Sequence, residues 1–170
     1  MYIYYPFRKK KHSYKQGFSL VEVLVACFII TLTIIAVTSA TTKGIQLSAQ
    51  ALRQTQVNFL LEEGAEAVKT IRDANWGTIA ALTLDTPYYL SYSTSTNTWS
   101  LSTTTIPAID SIFTRTVTFS SVYRDTNDDI QSSGTLDSRT IKVTVTTSWA
   151  TSSNGTLSKN LQFYMSDIFN

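Results

Sequence analysis

A single carboxylate, Glu22, interrupts an apolar run that extends from residue 18 to residue 40. In a helix that crosses a bilayer, such a charge costs about 2 to 3 kcal/mol of insertion free energy on translocon scales. A plain membrane anchor gains nothing from this cost, so the carboxylate is expected to have a positively charged partner. Glu22 is therefore the first candidate functional residue of the chain.

The apolar run is long enough to form the element that would hold Glu22 in a membrane. Its 23 residues would make a helix of roughly 30 Å, the thickness of a bilayer core. Lys43 is the only charge shortly after the run, whereas five basic residues precede it: Arg8, Lys9, Lys10, Lys11 and Lys15. The positive-inside rule therefore predicts one transmembrane helix, with its N-terminus in the cytoplasm and the chain after residue 40 outside.

Two ordinary interpretations of the run compete with a functional one. A secretory signal peptide would end at small residues, and Thr38, Ser39 and Ala40 offer such a cleavage site. An uncleaved single-pass anchor would keep the whole run. Neither interpretation gives Glu22 a purpose.

The residues from Lys15 to Leu24, KQGFSLVEVL, resemble the prepilin signature of the type IV pilin and type II secretion pseudopilin family. That signature has basic residues, a Gly, a Phe, a Glu at the fifth place counted from the Phe, and then a long aliphatic helix. The resemblance implies that a dedicated membrane prepilin peptidase cuts after Gly17 on the cytoplasmic side and methylates the new amine of Phe18. The apolar run is then retained in the mature protein.

The chemistry of these positions can be argued from the residues themselves. Gly17 has no Cβ, so the backbone there can extend into a protease cleft instead of continuing the helix that follows. Cleavage would create a positive amine on Phe18, and Glu22 is a suitable counter-charge for the amine of a neighbouring subunit in a lipid-like filament core. This pairing would set the stagger between subunits.

Between residues 41 and 76 the sequence remains compatible with a helix. Spacings of four and three residues predict a stripe that packs against a domain: Val57, Leu61, Gly64, Val68 and Ile71. The opposite side predicts a solvated face: Arg53, Glu62, Glu66, Lys69 and Asp73. Glu62, Glu63 and Glu66 could suggest a metal site, but the only histidine, His12, is in the leader, so a solvated face is favoured.

The composition changes around residues 75–77, where Asn and Gly predict the end of the helix and Ser and Thr become abundant. Asn154 and Gly155 predict a turn that pairs the last two strands antiparallel. Alternating residues predict five strands: 88–92, 98–101, 113–123, 140–148 and 157–165. The predicted fold class is α+β, a long N-terminal helix packed on a small antiparallel β-sheet whose outer Thr and Ser are solvated. The resemblance implies the same pilin architecture.

An acidic segment between two predicted strands has the D-x-N-x-D spacing of a calcium loop, with Asp125, Asn127 and Asp129. However, Ile130 stands where an EF-hand loop needs Gly, and Leu136 stands where it needs Glu. A strand-joining turn is the favoured interpretation, because Asp and Asn side chains bind their own backbone in turns. No metal and no cofactor is predicted.

Charge and composition argue against several other functions. Without its first 17 residues the chain has nine Lys and Arg against twelve Asp and Glu, a net side-chain charge of −3, so no nucleic-acid binding is predicted. Cys27 is the only cysteine, which excludes an intrachain disulfide, and it is interpreted as a small membrane-facing hydrophobe. The chain lacks a Gly-x-Ser-x-Gly elbow and a usable histidine, so it is not predicted to be an enzyme.

The predicted organisation is a leader at 1–17, a membrane-spanning and assembly half of the helix at 18–40, its outer half at 41–76, and a β-rich domain at 77–170. The resemblance implies a structural subunit of a type IV pilus or pseudopilus. Its expected partners are the prepilin peptidase, other pilin subunits and an assembly platform in the membrane. The alternative is a membrane-anchored or secreted extracytoplasmic domain that binds a ligand.

Overall fold

A computed structural model of the chain describes residues 1, 17, 19–151 and 155–168. The first helix, α1, spans Leu20–Ala74. The chain divides into two compact units, Met1–Ala49 and Gln50–Asn170, and α1 contributes residues to both. The predicted boundaries at residues 17, 40 and 76 stay predictions.

Apart from residues 1, 17 and 19, the described chain of the first unit is the N-terminal part of α1, and its side chains are exposed throughout. The segment is rich in Leu, Ile and Val, and the carbonyl groups of one turn bind the N–H groups of the next, so the backbone needs no solvent for its hydrogen bonds.

The second unit combines the C-terminal part of α1 with a six-stranded antiparallel sheet. A short helix, α2, spans Trp76–Ala80. The strands are β1 Pro87–Ser93, β2 Thr98–Ser102, β3 Phe113–Arg124, β4 Ile130–Gln131, β5 Thr135–Ala150 and β6 Thr156–Ser166. Their order is β2-β1-β3-β5-β6, and β4 pairs with the end of β3. The predicted α+β class is confirmed.

The core lies between α1 and one face of the sheet. The predicted helical stripe is confirmed, since Val57, Leu61 and Val68 are buried together with Phe119 of β3 and Val143 of β5. Burying each such side chain stabilises the fold by about 1.5–3 kcal/mol. Val, Ile, Phe and Thr alternate along β3 and β5, which suits strands with one buried face.

Three details differ from the sequence-based predictions. The long helix ends at Ala74, and Asn75 and Gly77 do not form its C-terminal end as predicted. Asn75 instead has an extended backbone and is the N-cap of α2. Its Oδ1 accepts a hydrogen bond of 2.8 Å from the Gly77 amide. The two-residue strand β4 was not predicted. Strand β5 begins at Thr135, five residues before the predicted start at Thr140.

The early part of β5 was missed because it contains a bulge. Ser121 of β3 pairs with Ile141, but the next residue, Val122, pairs with Asp137, so residues 138–140 of β5 have no partner on β3. This interrupts the alternation on which strand prediction depends. The pairing of β5 with β6 is confirmed, whereas Asn154 of the predicted turn lies outside the described residues.

Candidate processing and assembly site

The predicted site begins where non-helical backbone gives way to α1. Gly17 is exposed, and a Cβ added to it would meet no atom within 4 Å. The Val23 amide donates to the Ser19 carbonyl at 3.2 Å, and α1 begins at the residue after Ser19, Leu20. Phe18 lies outside the described residues, and nothing is concluded about its side chain or amine.

Glu22 lies in the first turn of α1. It follows Ser19 by three residues, the spacing of a capping box, in which the acidic side chain faces the unpaired amides at the helix start. The helix dipole also favours a negative charge at this end. The S-x-x-E pattern is visible in the sequence, and it shows that Glu22 suits the start of a helix.

The helix after Glu22 presents apolar side chains on every side. Every large apolar side chain between residues 20 and 37 is exposed, among them Leu24, Phe28 and Ile34 at 60%, 64% and 60%, so this surface lacks a partner within the described chain. Among the described residues, α1 is the helix whose length and composition would allow it to cross a membrane. Cys27 is exposed on the same segment, and its interpretation as a membrane-facing residue stays a prediction.

The threonine residues of this segment satisfy their hydroxyls within the helix. The hydroxyl of Thr31 donates to the Cys27 carbonyl at 2.8 Å, and that of Thr38 donates to the Ile34 carbonyl at 2.8 Å. Thr41 and Thr42 donate in the same way, at 2.9 Å each. Because each donor is paired, these residues can enter an apolar surrounding without an unsatisfied hydroxyl proton.

The acidic turn at residues 125–129 is built by its own backbone. Asp125 Oδ1 accepts hydrogen bonds from the amides of Asn127 and Asp129, at 2.8 and 3.0 Å. Asp128 has a positive φ of 69°, and its Oδ1 lies 3.6 Å from Arg124 Nε. No group of three or more His, Cys, Asp or Glu side chains that could hold a metal ion occurs in the part of the chain that the structure describes. The geometry is that of an Asp-stabilised turn between β3 and β4.

A buried cation between helix and sheet was not singled out by the sequence. Arg115 is 5% exposed, and its Nη1 donates to Glu63 Oε2 at 2.6 Å and to the Leu60 carbonyl at 3.1 Å. Its guanidinium also lies over the Trp99 ring, 5.6 Å from the centroid. The alternation of β3 placed Arg115 on the core face, which was the signal. Glu63 was predicted to be merely solvated, and this prediction was incomplete.

Comparison with known proteins identifies the N-terminal segment. The family model of the prokaryotic N-terminal methylation motif matches residues 12–38, which include Gly17, Glu22 and the first part of α1. Neither a curated protein nor a solved structure matches the chain. The chain thus carries the prepilin-type N-terminal methylation motif at the start of a long apolar helix, an arrangement consistent with a type IV pilin-like protein.

Proposed function

We propose that the chain is a pilin-like precursor that is cut between Gly17 and Phe18, methylated on the Phe18 amine and assembled as a structural subunit of a pilus or pseudopilus. The observation that carries the proposal is the methylation motif at residues 12–38, which runs directly into α1. Gly17 supports it, because its backbone is exposed, non-helical and free of neighbouring atoms at the Cβ position. A peptidase could bind such a segment without first unwinding a helix.

The surface of α1 supports the proposed membrane placement. Its apolar side chains between residues 20 and 37 are exposed in the isolated chain, and an apolar surface of this length is stable only against lipid or other helices. We place residues 18–40 across the cytoplasmic membrane, with the basic leader on the inside and the sheet on the outside. Assembly would then exchange lipid for the helices of neighbouring subunits.

Glu22 is the proposed assembly residue. None of the ion pairs within the described ranges includes it, and in lipid or in a helix bundle an unpaired carboxylate is costly. Cleavage after Gly17 would supply a new cation four residues away, on Phe18. In the proposal, Glu22 of one subunit pairs with this amine on the next, so that register is set by charge as well as by apolar packing.

The test is mass analysis of the N-terminus of the protein recovered from membranes and from sheared surface fractions. We expect a start at N-methylated Phe18. Replacing Gly17 by Leu should leave the leader attached, whereas Ala40→Leu, which would block a signal-peptide cut, should have no effect. A start at Thr41, or an intact Met1, would contradict the proposal and favour a secreted or anchored domain that binds a ligand.

A further inference from the structure

The face of the sheet opposite α1 carries few charges. It is formed by the even-numbered residues 114–120 of β3, 142–148 of β5 and 158–164 of β6, and we call it the outer face. Eight of these twelve residues are Thr or Ser, and Lys142 is the only charged one. A surface meant only to stay soluble is best given about 25–35% charged residues. Because Thr is also a good strand former, composition alone does not make this face a binding site.

A cavity at one end of the outer face supplies the second observation. It has a volume of 470 Å³ and is lined by residues of β3, β4, β5 and β6, among them Tyr123, Gln131, Lys142 and Tyr164. The bulge after Ser121 and the pairing of β4 with the end of β3 occur at this end of the sheet. Cavities that bind small ligands have volumes of roughly 300–1,000 Å³.

The polar groups of the cavity are available to a ligand. Within the described chain, no side-chain hydrogen bond joins Tyr123, Gln131, Lys142 or Tyr164 to another residue. Ser120 donates to Asp85 Oδ1 at 2.6 Å, which leaves the Ser120 oxygen able to accept. The site therefore combines hydroxyl, amide and ammonium groups with two aromatic residues, Tyr123 and Tyr164, and Tyr164 is 51% exposed.

This chemistry distinguishes between ligand classes. An apolar ligand would leave the hydroxyl and amide groups without partners, which is costly once water is displaced. A strongly anionic ligand would find one cation, Lys142, with the carboxylate of Asp85 close to Ser120. A neutral sugar has hydroxyls that both donate and accept, and the C–H groups on one side of its ring pack against the electron-rich face of an aromatic ring.

We propose that the outer face binds a neutral glycan, with one sugar ring in the cavity against Tyr164. The next row of the face, Thr118, Thr144 and Gln162, continues from the cavity across three paired strands. Neighbouring strands are about 4.8 Å apart and successive rows roughly 7 Å apart, so a bound chain would meet hydroxyl and amide groups at regular intervals. Binding would not depend on processing after Gly17.

The experiment measures binding of cellohexaose, chitohexaose and maltohexaose to the full chain in lipid nanodiscs, which avoids sugar-based detergents. We expect at least one of these neutral hexasaccharides to bind. Tyr164→Ala should raise its dissociation constant by about tenfold, a loss of about 1.4 kcal/mol. The matched control is Tyr92→Ala, since Tyr92 is 45% exposed but does not line the cavity, and it should leave the constant within about twofold.

A second variant tests whether a loss of binding could come from misfolding of the Tyr164→Ala protein. Thr144→Val keeps the shape and the strand propensity of the side chain but removes a hydroxyl from the outer face, and it should weaken binding by a few fold. The proposal is overturned if none of the three saccharides binds at millimolar concentration, or if Tyr164→Ala binds as tightly as Tyr92→Ala. It is also overturned if only an acidic alginate hexamer binds and salt abolishes that binding, since this would make Lys142 a simple anion contact.

Discussion

The buried guanidinium of Arg115 makes Glu63 different from the other acidic residues of α1. Glu63 is half exposed, but its partner cannot reach water, so removing the carboxylate charge would leave a cation inside the protein. Glu63→Gln should therefore lower the free energy of unfolding by about 1.5–3 kcal/mol, the range for hydrogen bonds to charged groups. Urea denaturation followed by tryptophan fluorescence of the full chain measures this, because Trp99 lies beside Arg115.

The matched control is Glu62→Gln, one residue earlier on the exposed side of the same helix. It removes the same charge and should change stability by less than about 0.5 kcal/mol. Equal effects of the two substitutions would show that the ion pair with Arg115 contributes nothing specific.

Asp137 gives the sheet a stability that depends on pH. Its Oδ2 accepts a hydrogen bond of 2.7 Å from Arg124 Nε, and with a further bond from Thr140 this lowers the pKa of Asp137 from 3.8 to about 2. Because its pKa is lowered, the Asp137 carboxylate takes up a proton at a lower pH in the folded state than in the unfolded chain. The stabilisation is therefore complete above about pH 4 and is lost as the pH falls toward 2.

Asp137→Asn should abolish this part of the acid sensitivity. The difference in unfolding free energy between wild type and variant should be largest at pH 5 and should shrink steadily down to pH 2, as measured by urea titrations at each pH. Glu62→Gln controls for the loss of one negative charge. A difference that stayed constant over this range would contradict the assigned pKa of Asp137.

At the scale of the elements, the approach of α1 to the sheet depends on one glycine. A Cβ on Gly64 would lie 2.7 Å from Val145 Cγ1 and 3.1 Å from Arg115 Cδ, and Val145 is fully buried and short, with little freedom to move. Gly64→Ala should therefore destabilise the second unit by about 1–3 kcal/mol despite the better helix propensity of Ala. Thermal unfolding monitored by near-ultraviolet circular dichroism reports the packing of the aromatic core.

Gly44 is the control within the same helix. A Cβ there would meet no atom within 4 Å, so Gly44→Ala should be neutral or stabilising, by up to about 1 kcal/mol. If both substitutions shifted the unfolding temperature in the same direction, close packing at Gly64 would not be the reason for the glycine.

The elements that could be predicted from the sequence are those in which apolar residues recur at a regular spacing along the whole element. The stripe from Val57 to Ile71 and the alternation along β3 extend over several turns or pairs, so a single face is evident. Strand β4 has two residues and the start of β5 contains a bulge, so their pairing depends on the neighbouring strand rather than on their own sequence. For the same reason the cavity beside Tyr164 was not predicted.

The N-terminal motif could be recognised because its residues are neighbours in the sequence, whereas the roles given to them in cleavage and assembly stay predictions. Gly17, Phe18 and Glu22 form a short signature that needs no tertiary structure to be recognised, and the family match covers the same segment. The pairing of Glu63 with Arg115 is different, since Glu62, Glu63 and Glu66 are alike in sequence. Only the rotation of α1 against the sheet determines which of them reaches the guanidinium.

At the scale of the whole molecule, the proposed assembly separates two tasks of α1: remaining in the membrane and joining a filament. The apolar surface serves both, but the charge of Glu22 serves only the second, because a carboxylate disfavours insertion. Glu22→Gln should therefore be cut and methylated normally, and should remain in the membrane fraction.

The same variant should be largely missing from sheared surface filaments, because its amide cannot neutralise the Phe18 amine of a neighbouring subunit. Quantitative mass spectrometry of both fractions measures this, with Glu62→Gln as a control that should reach the filaments like the wild type. Wild-type amounts of Glu22→Gln in the sheared fraction would rule out the charge pairing. Failure of the variant to be cleaved would instead assign Glu22 to recognition by the peptidase, since the defect would then precede any contact between subunits.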